Sequence, residues 1–197
     1  MGEFLVKPAM QPKALSPSRV ARTVAQLAFA GLLPLLCAAQ PPPPGAGATA
    51  AVVDFKKLLP VLPEPPAGWV SDPAEGSTDD LGETQITTVH RDYSKGDGEN
   101  VPTTSISILD SVASPEYLES TIAAWNSDTA DADGYTKSLT IEGMPGFETY
   151  ENDGKHGSLW LVVAKRYILQ IETTAQEPGE LQEWLKRIDL KKLAEIK

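Results

Sequence analysis

Asp128, Asp131, Asp133 and Gly134, within Asn126-Ser-Asp-Thr-Ala-Asp-Ala-Asp-Gly134, form the most suggestive constellation in the chain. Alternating carboxylates closed by a glycine can wrap a hard cation, because every second side chain points inward around a tight turn. The match to a calcium loop is partial. Its first ligand position falls on Thr129, and Thr140 stands where a bidentate glutamate belongs. The stretch therefore reads as a solvated connection from helix to strand, with Asp128, Asp131 and Asp133 as a weak calcium set. His90 and His156 are the only imidazoles, one on a strand face beside Ile86, Thr88 and Asp92, the other in a glycine-flanked turn. A hydrolytic triad needs a nucleophile on a constrained turn, and no Gly-x-Ser-x-Gly occurs. Walker loops and His-Glu-x-x-His are also missing, and Gly96-Asp-Gly98 is a hairpin tip, since no helix follows it. Cys37 is the only cysteine, which excludes a disulfide framework and a cysteine-rich zinc site. The spacing of Trp125 and Trp184 puts them on inward helix stripes and Trp160 on an apolar strand. These tryptophans, with Trp69, therefore read as core and not as a stacking platform.

Charge narrows the partners. Acids outnumber bases 27 to 17 over 197 residues, a net charge of −10, which argues against nucleic acid as the ligand. Hydrophobic residues make up 41%, enough for a packed core.

Residues 1–39 differ from the rest. Lys7, Lys13, Arg19 and Arg22 face a single acid, Glu3, and the apolar run Leu27–Ala39 follows. A basic segment, a short apolar segment and a small-residue end give the order of a secretory signal peptide. The run falls short of the ~20 residues of a membrane span, and Pro34 interrupts it. Cleavage after Ala39 is the favoured ending. A lipid-modified Cys37 is the alternative, although Pro34-Leu35-Leu36 departs from a lipobox, which has a small residue before the cysteine. Residues 40–50 are uncharged and rich in Pro, Gly and Ala, and read as a linker. The expected location is the periplasm or envelope of a bacterium, with membrane contact only through a lipid at Cys37. Without 1–39, 13 bases remain against 26 acids, a net charge of about −13.

Residues 51–197 read as one α+β domain. Periodicity predicts helices at 51–59, 115–125 and from Pro178 to Ile188, and strands at 84–93, 103–112, 135–141, 146–152, 158–165 and 167–174. Short hairpin connections make the expected sheet mainly antiparallel, of about six strands packed with helices. Residues 71–83, rich in Ser, Gly and Asp, read as an acidic loop.

Three pieces carry a resemblance: Gly68-Trp69, Ile141-Glu-Gly-Met-Pro-Gly-Phe-Glu-Thr-Tyr150 and Arg166-Tyr-Ile-Leu-Gln-Ile171. With them the domain resembles the PsbP-like α/β sandwich of small exported proteins. The resemblance implies a scaffold used as an accessory or binding module, and it carries over no site residue. The expected function is therefore a non-catalytic binding or assembly module with a protein partner in the envelope. The alternative is a small-molecule-binding protein or hydrolase using carboxylates, Asp92 or Asp110, in a sheet–helix groove.

Overall fold

A computed structural model describes residues 51–197 apart from Glu83 and Glu99. The leader at 1–39, the linker at 40–50 and Cys37 lie outside the described residues.

Nine strands run β1 Val70–Ser71, β2 Glu75–Leu81, β3 Thr84–Ser94, β4 Thr103–Asp110, β5 Thr129–Ala130, β6 Gly134–Ile141, β7 Met144–Glu151, β8 His156–Val163 and β9 Tyr167–Thr174. They form one antiparallel sheet in the order β1-β3-β4-β9-β8-β7-β6-β5, and β2 pairs with β3 beyond β1. The helices are short: α1 Phe55–Leu58, α2 Pro115–Ala124, α3 Gly179–Leu185 and α4 Leu190–Glu195.

The expected six-strand α+β sandwich is thereby corrected. Sheet outweighs helix among the described residues, 42% strand against 23% helix with the 3-10 turns counted, and three of the strands lie outside the six expected. The reason is local. Glu75-Gly-Ser-Thr-Asp-Asp-Leu81 has no apolar alternation, yet the exposed edge of β3 offers it a full ladder from Glu75↔His90 to Leu81↔Thr84. Hydroxyl pairs Thr78–Thr87 at 2.8 Å and Ser77–Thr88 at 3.5 Å replace hydrophobic contacts between the two strands. Gly76 is required there. A Cβ would stand 2.7 Å from Val89 Cγ1 and 2.9 Å from the Thr88 carbonyl oxygen.

The helices are shorter than their periodicity suggests. Pro60 turns the chain after α1 into a 3-10 turn, Leu59–Val61. After α3, Asp189 accepts from Lys192 N at 2.9 Å and starts α4 afresh. The i,i+4 pair Glu183–Arg187 that helical spacing suggests does not form; Glu183 takes Lys186 instead, and Arg187 lies over the Trp184 ring at 5.8 Å. On α2 the inward stripe is Leu118, Ile122 and Trp125, while Tyr117 is 55% exposed.

Alternation sets the two faces. Val89, Tyr93, Ile106, Ile108, Leu159, Leu161, Val163, Leu169 and Ile171 point to one face, where α1, α3 and α4 cover them with Leu58, Leu181, Trp184, Leu185 and Leu193. Trp69 packs edge-on against Trp184, with centroids 5.0 Å apart. On the opposite face α2 covers a smaller cluster of Leu118, Val162 and Ile168. The unalternating run at Leu159–Val163 follows from this, since its strand is buried on both sides.

Candidate functional site

Among the described residues, two carboxylates are buried, Glu148 and Asp110. On β7, Gly146, Glu148 and Tyr150 alternate inward, and β6 sets Lys137 directly opposite Glu148. The carboxylate is 1% exposed. Glu148 Oε1 accepts from Lys137 Nζ at 2.8 Å and from the Tyr135 hydroxyl at 2.6 Å, and Oε2 accepts from Gln182 Nε2 on α3 at 2.8 Å. Three donors hold a charge that would otherwise be costly to bury. Burial first, and then the hydrogen bond to Glu148, push the Tyr135 phenol well above its ordinary value. It is therefore a donor near neutrality and no base. Beside this network, Asp128, Thr129, Ala130, Tyr135, Thr136 and Lys137 line an open groove at the sheet edge.

Asp110 is the second buried carboxylate. Arg166 grips it with two charge-assisted bonds, Nε to Oδ1 at 2.9 Å and Nη2 to Oδ2 at 2.7 Å. Asp110 also accepts from Val53 N at 2.8 Å and from Val112 N at 3.2 Å. Its register partner Thr87 donates its hydroxyl to the Val53 carbonyl at 2.7 Å. One cross-strand pair thus takes both backbone groups of Val53 and fixes the start of the domain. Asp110 is fully buried, so a substrate in a groove cannot reach it.

The acidic stretch behaves as a backbone clamp. Asp131 Oδ1 accepts from Asp133 N at 2.9 Å and Gly134 N at 3.1 Å, and Asp128 Oδ1 accepts from Ser138 N at 2.6 Å. Asp133 is exposed. Among the described residues, no three Asp, Glu, His or Cys side chains converge to hold a metal ion. The donor geometry therefore fits turn formation better than calcium ligation. Calcium affinity at Asp128, Asp131 and Asp133 is expected to be weak, on the order of millimolar. Titration calorimetry showing micromolar affinity that vanishes in Asp131→Asn/Asp133→Asn would make the loop an ion site.

His90 is half exposed and lies 3.8 Å from Glu75, its partner across the β2–β3 ladder. His156 Nδ1 approaches Thr174 Oγ1 at 3.4 Å. Asp92 is exposed on the same sheet face as His90, and neither contact leads to the other histidine. Trp125 and Trp160 flank Phe147, with centroids 6.3 and 6.2 Å away, and pack on the small cluster under α2. Comparison of the chain with protein-family models, with curated proteins and with solved structures gives no match.

Glu148 and Gln182 escape a reading by residue type. A signal for Glu148 does exist: the tight turn at Glu142-Gly143 pairs Ile141 with Met144, and counting back from it sets Lys137 opposite Glu148. Gln182 has no such signal, because its contact spans 34 residues.

Proposed function

We propose that this chain is an exported, acidic binding or assembly-accessory module of a bacterial envelope that acts without catalysis. The observation that carries the reading is that both buried carboxylates are saturated by structural donors. Each oxygen of Glu148 and of Asp110 already accepts hydrogen bonds from the fold itself. General acid–base work needs a group within hydrogen-bond reach of a substrate proton, and these two groups face inward. The order of basic segment, apolar run and uncharged linker before Ala51 supports export.

Of the other titratable side chains weighed for chemistry, His90 and Asp92 are exposed and His156 is partly exposed. The triple variant His90→Gln/Asp92→Asn/His156→Gln removes their acid–base capacity while keeping their size. It is expected to retain the cellular role and unfold at the same temperature as the parent. A lost role with unchanged unfolding would show that these groups do chemistry and overturn the non-catalytic reading.

A further inference from the structure

Charge is segregated along the stretch 51–197. Residues 51–60, 165–167 and 186–197 hold nine of its thirteen Lys and Arg and only three of its twenty-six Asp and Glu. Four contacts join these segments into one end of the domain. Lys57 Nζ donates to the Lys197 carbonyl at 3.1 Å, Lys192 Nζ to Pro60 O at 3.0 Å, the Tyr167 hydroxyl to Ile196 O at 2.8 Å and Arg166 Nη2 to Ala51 O at 3.0 Å. Setting Arg166 against Asp110 and Lys186 against Glu183 leaves seven cations there, with Glu64 and Glu142 the acids that line the grooves beside them. The rest of the domain holds four bases and twenty-three acids. Leu59, Leu190, Ala194 and Ile196 lie partly exposed among the cations.

From this arrangement we infer that the cationic end docks the protein on a bilayer surface rich in anionic phospholipid headgroups. Two observations favour a membrane over an acidic protein. Partly exposed apolar side chains stand between the cations, as an interfacial surface requires. Ala51 is held at the same end by Arg166, so the chain that precedes the domain leaves from the face that carries the charge. Cys37 and the apolar run before it are fourteen residues upstream of Ala51, a reach of at most about 50 Å. A lipid on Cys37 would keep this end close to the bilayer, whereas after cleavage at Ala39 the cations alone would hold it there. The acidic body does not cancel the attraction, because exposed charges more than about 8 Å away are largely screened at physiological salt.

The inference deepens the export reading, which supplies the nearby membrane. Vesicle binding in vitro does not depend on export, so the two can fail separately. The test is co-sedimentation of the full chain with vesicles of phosphatidylcholine alone and with vesicles containing phosphatidylglycerol, at low and high salt. Lys56 and Lys191 are exposed and make no ion pair among the described residues. Lys56→Gln/Lys191→Gln is expected to lower affinity for the anionic vesicles roughly thirtyfold, since each lysine near such a surface contributes about a fivefold effect. The control Lys95→Gln/Lys155→Gln removes the same charge elsewhere and is expected to change little. The leader is common to all variants and cancels in the ratio. Equal affinity for both vesicle types, or equal losses in the two variants, would overturn the inference. Retention on polyglutamate that depends on Lys56 and Lys191, without vesicle preference, would assign this end to an acidic protein and also overturn it.

Discussion

Arg166→Ala is expected to destabilise the protein by about 3–5 kcal/mol, because it leaves the Asp110 carboxylate buried and short of its cation. Asp110 is fully enclosed, and the guanidinium supplies two of its four hydrogen bonds at 2.9 and 2.7 Å. The desolvation of a lone carboxylate far exceeds what the two backbone donors from Val53 and Val112 can offset. The same change releases Ala51 O, so the first residues of the domain lose an anchor as well. Urea unfolding of the single variants and of Asp110→Asn/Arg166→Ala would measure this. The double variant, which removes charge and partner together, is expected to recover part of the loss. An Arg166→Ala protein as stable as the parent would show that the pair is not needed to bury Asp110.

The clamp at Val53 also marks where sequence reading stops. Val53, Thr87 and Asp110 meet across separations of 34 and 57 residues, and no local pattern links them. Local pattern does succeed where burial imposes a period. Ile106, Ile108 and Asp110, or Leu169, Ile171 and Thr173, alternate with partly exposed neighbours because one face of each stretch lies under helices. It fails at β2, whose residues look like loop and whose structure comes from the edge beside them. It fails again at the C terminus, where Leu181, Trp184, Leu185 and Ile188 continue one stripe through a break that Asp189 makes by capping a new helix. The candidate site follows the same rule. Asp128, Asp131 and Asp133 are visible as carboxylates, but the role of Asp128 and Asp131 as acceptors for backbone N–H groups depends on how the turn closes. The buried Glu148 needs register, which follows once the tight turn is placed at Glu142-Gly143.

Alkaline pH is expected to unfold the protein through its tyrosines. Tyr93 is 2% exposed, and its hydroxyl donates to the Pro63 carbonyl at 2.7 Å. Burial pushes its phenol up to about 12, from an ordinary value near 10. Tyr135, Tyr150 and Tyr167 shift upward too, each chiefly through burial. A raised acid keeps its proton in the folded state after the unfolded chain has lost it. Between pH 10 and 12 the native protein therefore binds more protons than the unfolded one, and stability falls as pH rises. For Tyr93 alone the loss is about 3 kcal/mol over that window, fully absent below pH 10. Unfolding free energies from urea titrations at pH 8, 10, 11 and 12 would give the slope. Tyr93→Phe costs the protein about 1 kcal/mol at pH 8 by losing the hydrogen bond to Pro63, but it cannot ionise. Its curve is expected to be flatter than the parent's above pH 10 and to meet or cross it before pH 12. Parallel curves would mean that Tyr93 ionises without cost to the fold, against its enclosure beneath Trp184, whose ring centroid lies 4.8 Å away.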